Sequence, residues 1–205
     1  MSETSSEVVN TDFTASALLV IDMQNDFMHC NGACAKMGFP DAGTPILPAV
    51  NQLIDAAHQG PNKIPVVWIC ADYSPEVVGP AFGAKMMCFP EAVCTTQWGK
   101  KIIEQLNPAT DDIFITKSCY DGFHDTELAE ILRAKGVDTV VVTGILTTVC
   151  VESTARAAVF EGFHTVIAED AVGDTPNATK AFLERFNTFF GDVQKSQVIC
   201  QRWTH

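Results

Sequence analysis

Residues 136–170 read GVDTVVVTGILTTVCVESTARAAVFEGFHTVIAED. Two apolar, β-branched runs, 139–145 and 164–169, flank the amphipathic stretch 150–160. A strand that is apolar along its whole length must be covered on both faces, and parallel neighbours are joined by a crossover helix. The stretch therefore predicts a strand, helix, strand unit, with Gly136 and Gly162 as helix stops. Outward from it the same rhythm recurs. Further strands are expected at 17–22, 64–70, 112–118 and, shorter, 197–200. Helices are expected at 48–58, 96–106, 125–135 and 178–189, with Gly60 ending the first and Asp125 capping the third. The fold class is α/β: a Rossmann-like, open, mostly parallel six-stranded sheet with helices on both faces.

With 205 residues, the chain has the size of one domain. A flexible tail is expected over 1–15 and a single domain over 16–205. Two segments break the rhythm, 29–47 after the first strand and 71–93 after the second, both rich in Gly, Pro, Met and Cys. Loops at the carboxyl ends of parallel strands build the ligand crevice, so both are expected to wall a pocket. The apolar residues Val77, Val78, Phe82, Met86, Met87 and Phe89 are numerous for solvent. They are expected to cover that pocket or a neighbouring subunit, which makes a homodimer or homotetramer the expected assembly.

Asp and Glu number 25 against 13 Lys and Arg, a net charge of -12. That charge repels phosphate backbones and anionic lipid, so neither nucleic acid nor membrane is an expected partner and a small-molecule substrate is. No apolar run approaches the roughly 18 residues that span a bilayer. The leading MSETSSEVVNTDFTAS carries no Lys or Arg, unlike a secretory or mitochondrial signal, and a cytoplasmic location is expected. The cysteines, at 30, 34, 70, 88, 94, 119, 150 and 200, are too scattered for a disulfide scaffold or a zinc ribbon. Cys30 and Cys34 with His29 lack a second ligand pair, so most thiols are expected to be buried packing groups, with no metal and no cofactor.

Three chemically capable residues stand at strand ends. The run 17–21 leads into Asp22, 113–116 into Lys117, and 140–144 through a short link to Cys150. A desolvated carboxylate favours a neighbouring cation, so Asp22 and Lys117 are expected to pair. Cys150 begins a helix, where the dipole lowers a thiol pKa and unsatisfied amides can hold an oxyanion. Singly each residue has a structural explanation, as a turn residue, a solvated lysine or a packing thiol. Together they are the parts of nucleophilic catalysis.

The strings ALLVIDMQNDF, IFITKSCYDGFHDTELAEILRAKGVDTVVVTGILTTVCVEST and FHTVIAEDAV, in this order, resemble the isochorismatase-like superfamily of cysteine hydrolases over residues 16–193. Lys117 with Tyr120, Gly122 and Phe123, then CVEST from Cys150, most resembles the branch of ureidoacrylate amidohydrolase, biuret hydrolase and N-carbamoylsarcosine amidohydrolase. The resemblance implies that Asp22 takes the proton of Cys150, that Lys117 stabilises the charges, and that Cys150 attacks a carbonyl to form an acyl-enzyme. It implies a non-proline cis peptide between Ile145 and Leu146, turning the Leu146 and Cys150 amides toward the oxyanion. Gln24 and Asn25 match a stretch that orients Asp22 or lines the pocket. Phe27, Trp68, Tyr120, Phe123 and Thr147 complete the expected substrate-binding set, with core packing as the alternative for Trp68, Tyr120 and Phe123.

Departures from the family pattern matter as well. Leu146 stands where a small residue is common, and Thr148 where Asp or Asn is, which implies a tighter and less polar pocket floor. Metal-dependent nicotinamidases carry Asp-x-His after the second strand, whereas this chain reads Ala71-Asp72-Tyr73-Ser74-Pro75, so no such metal site is expected. Three functions remain: cleavage of an amide or ureido C–N bond, hydrolysis of the isochorismate vinyl ether with Asp22 as acid, or a non-enzymatic binding or redox module using Cys30, Cys34, Cys88 or Cys94. The presence of Cys150 favours the first, because protonating an enol ether needs an acid and not a nucleophile.

Overall fold

A computed structural model describes residues 13–204; residues 1–12, most of the expected tail, lie outside the described residues. After a turn at Phe13–Ala15 come β1 (Ser16–Ile21), α1 (Asn25–Met28), α2 (Ala33–Lys36), α3 (Leu47–Gln59), β2 (Val66–Ala71), α4 (Pro80–Met86) and β3 (Ile113–Lys117). The chain continues with α5 (Leu128–Ala134), β4 (Thr139–Ile145), a π-helical turn (Thr147–Val151), α6 (Glu152–Phe160), β5 (His164–Gly173), α7 (Pro176–Phe189), β6 (Asp192–Gln194) and α8 (Ser196–Thr204). The six strands form one sheet in the order β3-β2-β1-β4-β5-β6, and every adjacent pair is parallel. The order reverses at the neighbours β1 and β4, which is where an open parallel sheet opens its ligand crevice.

Alternation along β1 explains the two-faced core. Leu18 and Val20 point to one face and join Val50, Leu53 and Ile54 of α3 with Ile199 and Trp203 of α8. Ala17, Leu19 and Ile21 point to the other and join α5, α6 and α7 through Leu128, Leu132, Ala155, Ala158, Phe182 and Phe186. Successive strand residues face opposite ways, so an all-apolar strand reports two covers. Among the described residues no helix is long and apolar enough to cross a membrane.

Three sequence expectations are corrected. The run 197–200 is not a strand: it lies in α8, and the sixth strand is the three-residue Asp192–Gln194. Ser196, Ile199, Cys200 and Trp203 are the buried residues of α8, a spacing that belongs to one helix face. The segment 96–106 is not a helix either, because its carbonyls are taken by residues that follow β1. The Gln24 amide donates to Lys100 O, the Asn25 amide to Trp98 O, and the Asn25 and Asp26 backbone N–H groups to Lys101 O and Gly99 O. Those tertiary bonds replace the intrahelical ones. Asp125 does not cap a helix: its φ is 52°, and α5 begins three residues later at Leu128.

Trp68 is 1% exposed in the α3 and α8 face of the core, and its indole N–H donates to Asp112 Oδ2 at 2.7 Å. The same carboxylate accepts from Ala109 N and meets His58 Nε2. Trp68→Phe removes a hydrogen bond to a charged acceptor and is expected to destabilise the fold by about 2 kcal/mol, read as a lower urea midpoint with an unchanged slope.

Candidate active site

The strand ends deliver three side chains to one point. Asp22 is the first residue past β1, Lys117 the last of β3, and Cys150 sits in the π-helical turn after β4. Lys117 starts two strands away from Asp22, and only a long side chain crosses the end of β2 to reach it. Its Nζ lies 3.0 Å from Asp22 Oδ2 and 3.4 Å from Cys150 Sγ, with the Lys117 and Asp22 side chains 0% and 1% exposed. Asp22 adopts a left-handed φ of 54°, uncommon for a residue with a Cβ and a mark of functional positions. Gly144, with φ 111°, lies where a Cβ would overlap the Ile21 carbonyl, so glycine lets β4 pass close beside the Asp22 turn.

The two buried charges are unequally served. Lys117 Nζ also donates to Tyr73 Oη at 3.2 Å and Cys119 O at 3.0 Å. Neither Asp22 oxygen has a partner in hydrogen-bonding geometry, so its contact with Lys117 is one of charge. Burial pushes the Asp22 carboxyl above its ordinary value, outweighing the nearby ammonium. Burial would push Lys117 down, but the Asp22 charge and the Cys150 sulfur carry it above its ordinary value. The result is a fixed cation beside a carboxylate poised to accept a proton.

Burial, with the Asp22 charge behind it, raises the Cys150 thiol well above its ordinary value. This overturns the expectation that the helix start lowers it: desolvation and a facing carboxylate outweigh the dipole and Lys117. These surroundings favour the thiol over the thiolate. Tyr73 also reaches this cluster, and sequence reasoning did not place it there. It follows β2 by two positions, its hydroxyl lies 3.8 Å from Cys150 Sγ, and its ring meets those of Phe82 and Tyr120. Its position at a strand's carboxyl end was the available signal.

Above the sulfur lies a cavity of about 420 Å³ lined by both long loops, through Met37 and Phe39 of the first and Met86 and Phe89 of the second. Of the expected site residues, Phe27, Tyr120, Leu146 and Cys150 line it. Seven do not: besides the buried pair Asp22 and Lys117, five are held elsewhere, each for a visible reason. Gln24 is fully buried and spans Ala71 N and O, splicing the exit of β1 to β2. Asn25 holds Trp98 O, and Trp68 belongs to the far core. Phe123 packs against Phe163 on the α5 and α6 face. Thr147 is buried beneath the turn, its hydroxyl 3.4 Å from that of Thr179.

The peptide between Ile145 and Leu146 is cis. Cys30 Sγ lies 3.8 Å from His29 Nδ1 at the surface, but Cys34 does not join them: it lines the cavity and is pushed up to about 11 by burial and the charges of Asp26 and Asp22. Only Cys94, Cys150 and Cys200 are buried, fewer than composition suggested. Asp72 pairs with Lys100 Nζ at 2.8 Å and accepts from Ser74 Oγ at 2.6 Å.

The model of the isochorismatase domain matches residues 16–198. The chain belongs to the isochorismatase family. It is 35% identical to the ureidoacrylate amidohydrolase RutB of Yersinia enterocolitica over 91% of this chain and 88% of that protein. The crystal structure of N-carbamoylsarcosine amidase from Thermoplasma acidophilum superposes with a TM-score of 0.72 at 28% identity, covering 88% of this chain and 96% of that one. A cysteine hydrolase from Pseudomonas syringae pv. phaseolicola shares the fold with a TM-score of 0.83 at 24% identity, covering 94% and 93%. The isochorismatase-family protein described here is a hydrolase.

Proposed function

We propose that this isochorismatase-family hydrolase cleaves the C–N bond of a small amide, ureido or carbamoyl compound through a thioester on Cys150. The observation that carries the reading is Cys150 Sγ, 3.4 Å from the Lys117 ammonium and coupled to the Asp22 carboxylate, at the base of a cavity of small-molecule size. The amidohydrolase and amidase names of the similar proteins support it.

Asp22 takes the thiol proton as Sγ attacks the carbonyl carbon, and the thiolate forms only as it is used. Negative charge moves to the carbonyl oxygen, where the backbone N–H groups of Leu146 and Cys150 are assigned as donors. The tetrahedral adduct collapses, the C–N bond breaks, and Asp22 returns the proton to the leaving nitrogen. A water then attacks the thioester, giving its proton to Asp22, and the acid departs as the thiol re-forms. Lys117 holds its charge throughout and compensates whichever of Asp22 and Cys150 is the anion.

The test is rapid acid quench of the enzyme during turnover, followed by intact mass. The expected result is an added acyl mass on Cys150 together with ammonia or amine release. Pyruvate formed from isochorismate, and retained in Cys150→Ala, would replace this reading with vinyl-ether hydrolysis. The pH profile is a second check. Once Asp22 is protonated it cannot accept the thiol proton, so kcat/KM should fall on the acid side. Because burial raises Asp22, the inflexion should lie above the ordinary aspartate value of 3.8. Asp22→Asn should abolish that limb with the activity.

A further inference from the structure

We infer that the substrate is uncharged at the end remote from the scissile carbonyl: an amide or ureide bearing an apolar aliphatic or aromatic group, not a carboxylate. The inference rests on the amide-hydrolase reading and narrows its substrate class.

Among the described residues no Lys, Arg or His lines the cavity, and the one charged side chain there is an acid, Asp174. That carboxylate is already engaged in holding the floor of the site. Its Oδ2 accepts from Thr148 N at 3.1 Å and Thr148 Oγ1 at 2.6 Å, and its Oδ1 from Thr175 N at 2.7 Å. The nearest buried cation, Lys117, is committed to Asp22, Tyr73 and Cys119, with no charge left over for a substrate anion. Lys100, on the neighbouring loop, is neutralised by Asp72. The walls are Phe27, Met37, Phe39, Met86, Phe89 and Val93, flexible thioethers and ring faces suited to an apolar group of variable shape.

A carboxylate entering this space would lose its water and meet neither a cation nor a donor-rich surface, beside an acidic residue and within a chain of net charge -12. A neutral apolar group gains from the same transfer. Ureidoacrylate, as named for the Yersinia relative, carries a carboxylate, so this chain's cavity points to a different substrate within the same chemistry.

The experiment uses a shape-matched pair, para-toluamide and the monoamide of terephthalate, which differ in a methyl against a carboxylate. Binding to Cys150→Ala is measured by calorimetry, and turnover by wild-type enzyme as ammonia release. Toluamide is expected to bind, and to be hydrolysed, about 100-fold better. Met37→Arg should narrow that preference about tenfold by supplying the missing cation. Equal or tighter binding of the anion, no binding of either compound, or an unchanged preference in Met37→Arg would overturn the inference. Preferential binding of toluamide with no ammonia from either compound would leave the cavity assignment standing and remove the amide-hydrolase reading instead.

Discussion

Cys150→Ala is expected to lower amide turnover by about ten-thousand-fold or more while leaving the fold intact. The thiol supplies the only bond that ties the acyl group to the protein, so its removal deletes the covalent path and leaves only positioning and oxyanion contacts. Cys150→Ser should be nearly as poor, which separates nucleophilicity from size. The thiol already stands above its ordinary value, through burial and the Asp22 charge. A hydroxyl is a far weaker acid, and Asp22 is too weak a base to ionise it without a relay such as the histidine of serine hydrolases. The loss of stability should be small beside the loss of activity, because Cys150 belongs to the buried core face but only one atom is removed or exchanged. A circular-dichroism melt within a few degrees of wild type, beside the lost ammonia signal, is the expected pair of observations. Substantial amide turnover by Cys150→Ala would sink the covalent mechanism.

Lys117→Met should produce the largest loss of stability, about 3 to 5 kcal/mol at neutral pH. Methionine approximates the length of the chain but leaves Asp22 buried with no opposite charge. The Lys117 charge is the main influence opposing the upward push of burial on Asp22, so its loss drives the carboxyl still further above 3.8. A group whose pKa is higher folded than unfolded binds more protons in the folded state, and stability is lost as pH rises through that interval. Lys117→Met should therefore approach wild-type stability near pH 4 and fall behind it toward pH 7, the reverse of the usual carboxylate pattern. The double variant Asp22→Asn/Lys117→Met removes both charges and should recover most of the stability and none of the activity. Chemical denaturation at several pH values, with an ammonia assay alongside, measures both. Equal loss at all pH values would show that packing, and not charge, is what Lys117 contributes.

The strands that carry the site were legible because they are largely apolar, and the residues that close or follow them are the ones the structure brings together. Asp22, Lys117 and Cys150 could be placed from sequence since each closes or follows such a run. Tyr73 carried only the weaker signal of lying two residues past a strand end, and it takes the folded loop to bring its hydroxyl to the sulfur. The small strand Asp192–Gln194 is too short and polar to announce itself, while Val198, Ile199 and Cys200 mimic one. The segment 96–106 misled for the opposite reason: its helical pattern is real, but Gln24, Asn25 and Asp26 claim its backbone. Trp68 and Phe123 show why aromatic residues near a motif are poor evidence of a pocket, since the core on either sheet face demands the same side chains. The direction of the Cys150 shift needed the structure, as no spacing reveals how far a sulfur is withdrawn from water.

Asp26 is 5% exposed, with one oxygen accepting from Ala33 N, where α2 starts in the first loop, and the other from Cys94 N, at the end of the second. A single carboxylate thus fastens both walls of the cavity, and Gly99 packs so close that a Cβ there would strike it. The two amides share one protecting group against hydrogen exchange, so any excursion that releases Asp26 exposes both to solvent deuterium in the same event. The two walls should therefore lose protection together and not one at a time, which equal exchange rates at the Ala33 and Cys94 amides would show.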